Sequence, residues 1–361
     1  MAHHCPSALK TAISLPRADN LVAILPEAFR TPLWARSAHL QTLWGPLWRR
    51  PATLQRRETR LTLADGDHLW LHHAGPEPDS GQPLILLLHG LSGSQDSHYI
   101  RGLQAALTLA GHASVVINAR GAGGRHNLRA RFYHAGETAD ISDAVSALAE
   151  SHPHSPLLMA GFSIGGSRLL NWLAEAGHPR VKAAVAVSVP FQLADCASHL
   201  DRGFSKVYRN HLINQLLGDI EAKKQHLGRV AANEAERLEA LGDLSTIRSF
   251  WQFDERIVAP LHGFAGAEDY YQRCSSRPKL RQINTPTLLV QAADDPFMPA
   301  HVIPEPAELS ASTTLYLSSH GGHVGFVGGS PVKPDYWLES AIPAFFSSWL
   351  ETGGNSSSNV S

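Results

Sequence analysis

One serine in the sequence stands where a nucleophile could be held. Ser163 lies in the stretch AGFSIGG, two residues from Gly161 and two from Gly165. Gly166 follows directly. Because a neutral serine is a poor nucleophile, it needs a base that removes its proton and a carboxylate that orients the base. The chemistry open to such a serine is acyl transfer with an acid and a histidine as partners.

The glycines around Ser163 have a steric explanation. The apolar run PLLMAGF precedes the serine and the helical pattern IGGSRLL follows it, which predicts a sharp turn from a strand into a helix. At such a turn the serine backbone is strained, and neighbouring side chains would collide. Gly161 and Gly165 remove those collisions, and Gly166 lets the helix approach the strand. An ordinary helix-opening turn is the alternative, since a chain with 29 glycines can match the motif by accident.

Negative charge that develops beside Ser163 would need hydrogen-bond donors. The predicted helix N-terminus directs free N–H groups at that space, so we expect the backbone N–H of Ile164 to be one donor. We expect the second to be the backbone N–H of Leu91, because the pair His89-Gly90 turns the chain after the run LILLL. His89 itself is interpreted as a structural hydrogen-bonding residue rather than a base.

Candidate acids and bases follow the serine in the chain. The stretch LLVQAADDPFMP supplies Asp294 and Asp295 directly after an apolar run. The stretch LYLSSHGGHVGF supplies His320 and His323 after the next run. This is the order serine, acid, histidine, with each residue in a loop at the carboxyl end of a strand.

The sequence offers two candidates for the acid and two for the base. Asp295 is favoured as the acid because Pro299 follows in the loop, whereas Asp294 could instead cap the turn. His323 is favoured as the base because a flexible glycine pair precedes it, whereas His320 still belongs to the strand end. The interval from Asp295 to His323 is 28 residues (323 − 295), which leaves room for one helix and one strand.

The elements that would position these residues alternate along the chain. The stretch TRLTLADGDHLWLHHA predicts a hairpin about Asp65-Gly66. Apolar runs such as LILLL and SVVIN then alternate with helical patterns, which predicts a parallel sheet covered by helices on both faces. The alternation stops over residues 195–282 and resumes with TPTLLVQAADD. We therefore predict a helical insertion above the carboxyl edge of the sheet, where ligands bind in open α/β folds.

Composition narrows the classes of function. The chain has 361 residues, 43% of them hydrophobic, which is enough for a sizeable core. Its 31 basic and 32 acidic residues nearly cancel, which disfavours nucleic acid as a partner. We identify no signal peptide and no apolar run of about 20 residues that could span a membrane. Three widely spaced cysteines, Cys5, Cys196 and Cys274, favour a reducing compartment, so we expect a cytoplasmic location.

Short motifs across roughly residues 30–350 together resemble a known family. In chain order they are HLQT, LLLHGLSGS, YIRGL, NARGAGG, YHAGET, GFSIGG, AVAVSVPF, APLHGFAGAEDYY, DDPFMP and GGHVGF. With these motifs the sequence resembles the YheT-like branch of the α/β-hydrolases. That group also includes eukaryotic abhydrolase-domain lipases and medium-chain ethyl ester synthase/esterases.

The resemblance implies an α/β-hydrolase fold, in which helices flank a mostly parallel central sheet and a helical cap is inserted. It also implies a triad of Ser163, Asp295 and His323, in an enzyme that cleaves carboxylic esters through an acyl-enzyme. We expect small acyl esters of short to medium chain length as substrates, and neither a metal ion nor an organic cofactor. An acyltransferase or ester synthase with the same triad is one alternative, and a catalytically silent ligand-binding module is another.

The predicted organisation has an N-terminal extension (1–58), a core in two segments (59–194 and 283–351), a helical cap (195–282) and a disordered tail (352–361). The cap contains the aromatic tract FWQFDERIVAPLHGFAGAEDYY. These rings could line an acyl pocket, or they could pack the insertion onto the core. The oligomeric state is not predictable from the sequence.

Overall fold

A computed structural model describes residues 28–354 of the chain. Residues 1–27 of the predicted extension, including Cys5, lie outside the described residues, as do residues 355–361 of the predicted tail. Among residues 28–354, no helix combines the length and the hydropathy that crossing a bilayer would take.

The strands form one large sheet and one small ribbon. They are β1 (Arg57–Thr62), β2 (His68–Ala74), β3 (Leu84–Leu88), β4 (Ala113–Asn118), β5 (Leu157–Phe162), β6 (Val181–Val187), β7 (Thr287–Ala292), β8 (Thr313–Ser318), β9 (Val327–Gly329) and β10 (Pro334–Tyr336). The large sheet has the order β1-β2-β4-β3-β5-β6-β7-β8, and β9 pairs with β10 in the ribbon. From β4 to β8 the large sheet is parallel, whereas β2 pairs antiparallel with β1 and with β4.

The helices lie before, between and after these strands. They are α1 (Ala38–Trp48), α2 (His98–Leu109), α3 (Ala139–Ser151), α4 (Ile164–Glu175), α5 (Leu193–Leu200), α6 (Ser205–Val230), α7 (Ala232–Glu239), α8 (Phe250–Phe253), α9 (Ala259–His262), α10 (Ala267–Cys274) and α11 (Leu338–Gly354). A π-helical segment, Asp254–Val258, joins α8 to α9. Short 3₁₀ turns are Leu33–Ala35, Ala122–Gly124, Arg277–Gln282, Ala300–Val302 and Pro306–Glu308.

The core follows from the apolar runs. In β3 all five residues are buried, and alternate side chains enter different clusters: Leu86 packs in one and Leu87 in the other. This is what a strand produces when both faces of its sheet are covered, because successive side chains point in opposite directions. The predicted parallel sheet with helices on both faces is therefore confirmed. The predicted hairpin about Asp65-Gly66 is confirmed by the pairing of β1 with β2.

Helices α5 to α10 lie between β6 and β7, where the alternation of strand and helix stops in the sequence. Their apolar side chains form a third cluster, which includes Ile213, Leu238, Phe250 and Tyr270. In the described part of the chain, no strand interrupts the run from β6 to β7. The insertion thus has a core of its own that also contacts the sheet edge through Leu91.

Two sequence expectations differ from the structure. The interval between Asp295 and His323 holds two 3₁₀ turns, Ala300–Val302 and Pro306–Glu308, and β8, but no α-helix. Four prolines, at 296, 299, 304 and 306, occupy this interval, and proline removes the N–H that a helix interior needs. The predicted tail begins at residue 352, but α11 continues to Gly354.

Candidate active site

Ser163 lies at the junction of β5 and α4. Its backbone has φ 53° and ψ −124°, a left-handed conformation that costs energy for any residue with a Cβ. The Ser163 N–H donates to the carbonyl of Val187 at 2.8 Å, which ties the turn to the end of β6. The strained turn projects the side chain beyond the strand instead of along it.

Three glycines make room for this turn. A Cβ on Gly161 would lie 2.6 Å from the carbonyl oxygen of Gly165, and a Cβ on Gly166 would lie 2.7 Å from Cγ2 of Val189. A Cβ on Gly165 would collide with the backbone carbonyl of His89. The atom that the first Cβ would meet belongs to the backbone of the turn itself, so no side-chain movement could relieve the collision.

The structure brings Ser163, His323 and Asp295 together. Oγ of Ser163 lies 2.9 Å from Nε2 of His323, and Nδ1 of the same ring lies 2.8 Å from Oδ2 of Asp295. The side chain of Asp295 is 1% exposed and that of His323 is 10% exposed. A hydroxyl, an imidazole and a buried carboxylate therefore form one continuous chain of hydrogen bonds, although 160 residues separate the serine from the histidine.

An aromatic ring that the sequence reasoning missed completes this arrangement. The ring of Phe297 stacks on the imidazole of His323 with centroids 4.0 Å apart and planes 1° apart. The backbone N–H of Phe297 also donates to Oδ1 of Asp295 at 2.8 Å. Phe297 thus restrains both the ring and the carboxylate. The motif DDPFMP contained this residue, but nothing in the sequence indicated its stacking partner.

The alternative acid and base form a second pair next to the first. Oδ2 of Asp294 lies 3.1 Å from Nδ1 of His320, whose side chain is 41% exposed. Oδ1 of Asp294 accepts a hydrogen bond from the N–H of Gly322 at 3.0 Å. Asp294 therefore holds the turn that precedes His323, and it does not contact the His323 ring.

The N–H groups predicted as oxyanion donors are free in the described residues. In the loop after β3, the N–H of Gly90 donates a hydrogen bond to Tyr99 Oη at 2.8 Å. The N–H of Ser92 donates to Tyr133 Oη at 2.8 Å. The N–H of Leu91, between these two, donates no hydrogen bond to another described residue. The N–H of Ile164 at the start of α4 donates none either. Both residues line the same cavity.

His89 is a structural residue, as interpreted from the sequence. It is fully buried, and burial lowers the pKa of its ring to about 4, so the ring is neutral at pH 7. Nε2 accepts from the N–H of Ala119 at 3.1 Å, so Nδ1 bears the proton and donates to the carbonyl of Gly90 at 2.8 Å. Both ring nitrogens are occupied, and His89 fixes the loop that contains Leu91.

Helix α1 supports the His323 loop, a role that was not predicted from the sequence. Oγ1 of Thr42 accepts from the backbone N–H of His323 at 2.9 Å. The fully buried side chain of Gln41 donates to the carbonyls of Ala35 and Val327 and accepts from the N–H of Val327 at 2.7 Å. The motif HLQT contains both residues, but no pattern in it indicates partners about 280 residues away.

A cavity of about 360 Å³ lies between the sheet edge and the insertion. Leu91 and Ile164, the residue that follows Ser163, line it on the side of the sheet. The wall contributed by the insertion is mostly apolar and includes Leu216, Phe250, Phe253, Ile257, Val258 and Leu261. The aromatic tract of the sequence therefore has both of the predicted roles. Phe250 and Phe253 line the cavity, and they also pack in the core of the insertion.

Two carboxyl groups, those of Asp219 and Asp254, stand in the wall that the insertion contributes. Asp254 lies in the π-helical segment, and its Oδ2 accepts from the hydroxyl of Tyr271 at 2.6 Å. Burial raises the pKa of Asp254 to about 7, and the hydrogen bond from Tyr271 limits the rise. The group is therefore partly protonated near neutral pH.

Among the described residues, one group of side chains could approach a metal ion: His134, Glu137 and His262 offer atoms within 4.8 Å of one another. Each of the first two already has a protein partner. The N–H of Gly136 donates to Nδ1 of His134 at 3.2 Å, which places the ring proton on Nε2, and Arg131 pairs with Glu137. His134 and Glu137 are thus hydrogen-bonded to protein groups, and the ring of His262 packs on that of His134 with centroids 4.5 Å apart.

Known proteins share this architecture. A family model described as the alpha/beta hydrolase fold matches residues 83–330. "Putative esterase YheT" of Escherichia coli (strain K12) is 40% identical over 318 residues, which are 87% of this chain and 92% of that protein. Phospholipase ABHD3 of Homo sapiens is 28% identical over 338 residues, covering 91% of this chain and 81% of the relative.

A solved structure shows the same fold. The Pyrococcus furiosus esterase Pf2001 superposes with a TM-score of 0.53 at 15% identity, over 82% of this chain and 92% of that one. At this identity the likeness concerns the fold alone. The family model and the 40% identical relative establish which family this chain belongs to. The chain belongs to the α/β-hydrolase fold family, in the branch that contains YheT.

Proposed function

We propose that this protein is a serine hydrolase that cleaves carboxylic esters through an acyl-enzyme formed on Ser163. The observation that supports this most strongly is the chain of hydrogen bonds from Ser163 Oγ through His323 to Asp295, at 2.9 and 2.8 Å. Relatives named as an esterase and a phospholipase are consistent with ester cleavage.

In the proposed reaction, Nε2 of His323 takes the proton of Ser163 as Oγ attacks the ester carbonyl carbon. The oxyanion accepts hydrogen bonds from the N–H groups of Leu91 and Ile164. The C–O bond to the alcohol then breaks, and His323 returns the proton to the leaving oxygen. Water attacks the acyl-enzyme by the same route in reverse and releases the acid, while Asp295 holds the imidazole tautomer and stabilises its charged form.

We further propose that residues 195–282 act as a cap over the acyl group, and that the substrates are esters of short to medium acyl chains. The cavity begins at Leu91 and Ile164 and has an apolar wall, so an acyl chain bound there would leave its carbonyl next to the oxyanion donors. Its volume of about 360 Å³ is at the lower end of the range for ligand pockets.

Hydrolysis of p-nitrophenyl esters of graded chain length tests the reaction. We expect Ser163→Ala to lower kcat/KM by about 10⁴-fold or more with every ester, because the nucleophile is lost. Ser151→Ala, which removes an exposed hydroxyl on α3, is the control and should hydrolyse like the wild type. Hydrolysis that persisted in Ser163→Ala would refute the site.

A pair of adjacent leucines on α6 tests the acyl cavity. Leu216 lines it, whereas Leu217 lines a separate cleft. We expect Leu216→Trp to shorten the preferred acyl chain, because the indole would occupy the space that the chain needs. Leu217→Trp should keep the wild-type preference. The same shift in both variants, or in neither, would place the acyl chain elsewhere.

A further inference from the structure

Helix α1 exposes the side chains that a helix normally buries. Its buried residues are Gln41 and Gly45, whereas Leu47 is 61% exposed and Trp48 is 55% exposed. In a typical surface helix the apolar stripe faces the core and the polar side chains face water. In α1 the polar residues Gln41 and Thr42 face inward, because they hold the candidate site by hydrogen bonds. The apolar residues of its outer side have no packing partner among the described residues outside the neighbouring apolar side chains.

The apolar outer side continues onto neighbouring elements. Trp34 packs against Trp44 with ring centroids 4.5 Å apart, and its Nε1 donates to the carbonyl of Gly329 at 2.9 Å, which joins α1 to the β9–β10 ribbon. Leu33, beside Trp34, is 78% exposed, and Val332, in the turn of the ribbon, is 96% exposed. We call this set the aromatic surface; it consists of Leu33, Trp34, Trp44, Leu47, Trp48 and Val332. Exposed apolar patches of this kind mark interaction sites.

Basic residues flank the aromatic surface. Residues 28–50 contain four arginines and no aspartate or glutamate, although the whole chain has a net charge of −1. Arg49 forms an ion pair with Glu339 at 2.5 Å, so the other three arginines supply the positive charge of the segment. Arg30, Arg36 and Arg50 are exposed, at the two ends of the segment and just before α1. Lys333 and Asp335 in the ribbon cancel each other. The segment is therefore a positively charged region on a nearly neutral protein.

We propose that the aromatic surface and its flanking arginines dock on the surface of an anionic lipid bilayer. Tryptophan rings favour the headgroup level of a bilayer, and arginines beside them are attracted by anionic lipids. With 11 residues, α1 is suited to lie in the interface and not to span it. Charge complementarity distinguishes this partner from an apolar protein surface, which would not need the arginines.

The docking surface adjoins the candidate active site. Thr42, on the inner side of α1, accepts a hydrogen bond from the backbone N–H of His323 at 2.9 Å. His39, also on α1, packs against Phe204 at the start of the insertion with ring centroids 4.4 Å apart, and Phe204 is 51% exposed. Docking would therefore place α1 between the lipid surface and the His323 loop, with the edge of the insertion beside it. The inference does not rest on the proposed function.

Flotation of the full chain with lipid vesicles tests the proposal. We expect binding to vesicles of equal parts phosphatidylcholine and phosphatidylglycerol, and weaker binding to phosphatidylcholine alone. The double variant Leu47→Ser, Trp48→Ser should weaken binding by about tenfold or more, because two apolar anchors are lost. Leu109→Ser is the control, since Leu109 is 90% exposed at the last residue of α2 and is not one of the residues of the aromatic surface.

The arginines are tested in the same assay. Arg36→Gln with Arg50→Gln should weaken binding to the anionic vesicles by about tenfold or more, since each basic residue near such a surface contributes about fivefold. Arg60→Gln with Arg229→Gln removes two exposed arginines elsewhere and should have little effect.

Three results would overturn the proposal. One is that the full chain does not bind anionic vesicles, and another is that the control variants lose as much binding as the test variants. The third is that binding appears only after residues 1–27 are deleted, which would mean that this segment of the chain is the partner of the surface. Hydrolysis of soluble p-nitrophenyl esters, measured on the same samples, reports the proposed function separately, because Leu47 and Trp48 lie outside the proposed catalytic residues.

Discussion

Two aspartate–histidine pairs lie in the same two loops, but they differ in burial and in contact with Ser163. Asp295 and His323 have side chains 1% and 10% exposed, whereas Asp294 and His320 have side chains 20% and 41% exposed. His323 contacts Oγ of Ser163 at 2.9 Å, while the other pair joins the loops to each other. Residue type and chain order are the same in both pairs, so these features alone do not identify the catalytic one.

The difference lies in what surrounds the pair that we propose to be catalytic. A buried carboxylate is little screened by water, so its interaction with an imidazolium is stronger than that of an exposed one. Stacking on Phe297 and the hydrogen bond to Thr42 hold His323 in place. Asp294 instead accepts a hydrogen bond from the N–H of Gly322, and this contact holds the loop before His323. We therefore expect removal of the two carboxylates to have very different effects.

The largest expected effect is that of Asp295→Asn. The asparagine amide cannot hold the His323 tautomer or stabilise its charged form, so kcat/KM should fall by about 10⁴-fold. Steady-state hydrolysis of a p-nitrophenyl ester measures this. If the activity of the variant stayed within tenfold of the wild type, the buried pair would not be the catalytic one.

Thr42→Val should have the next largest effect. Valine has a similar shape but leaves the His323 N–H without its acceptor, and an unpaired buried donor costs about 1–3 kcal/mol. We expect kcat/KM to fall by about tenfold. Thr42→Ser, which keeps the hydroxyl, is the control and should retain most of the activity. A loss in Thr42→Ser with little loss in Thr42→Val would show that the methyl contact matters and the hydrogen bond does not.

Asp294→Asn should lower kcat/KM only a few-fold. The amide oxygen of asparagine can still accept from the Gly322 N–H, so the loop keeps its main contact and loses only the charge opposite His320. The direct comparison is with Asp295→Asn under the same conditions. A loss for Asp294→Asn as large as that for Asp295→Asn would mean that the two pairs act as one unit.

The smallest effect should come from His320→Ala. This side chain is the most exposed of the four, and its one ion pair, with Asp294, is worth about 0–1 kcal/mol at such exposure. We expect kcat/KM within about twofold of the wild type and little change in Tm. His323→Ala, measured in parallel, should lose activity by several orders of magnitude. An inactive His320→Ala protein with an unchanged Tm would reverse the two assignments.

The sheet was predictable from the sequence because its signal is local. The run LILLL is buried along its whole length, and its pattern already indicated a strand covered on both faces. The turn at Ser163 was predictable for a similar reason, since Gly161 and Gly165 occupy neighbouring positions and exclude side chains from the same small space. Periodicity and short-range sterics need no knowledge of distant residues.

The supports of the site could not be predicted in this way. Gln41 contacts Val327 across 286 residues, and Phe297 stacks on a ring that the chain reaches 26 residues later (323 − 297). Both contacts depend on how the loops pack in three dimensions. The choice between Asp294 and Asp295 has the same character, because neighbouring residues in a turn differ in side-chain direction and not in any property of the sequence.

The rate of labelling by a fluorophosphonate probe tests the central claim most directly. With mass spectrometry of the labelled peptide, the account predicts modification of Ser163 in the wild type and in Asp294→Asn at similar rates. It predicts labelling slower by orders of magnitude in Asp295→Asn. Label on another residue, or equal rates in Asp295→Asn and the wild type, would contradict the claim that the buried aspartate and His323 activate this serine.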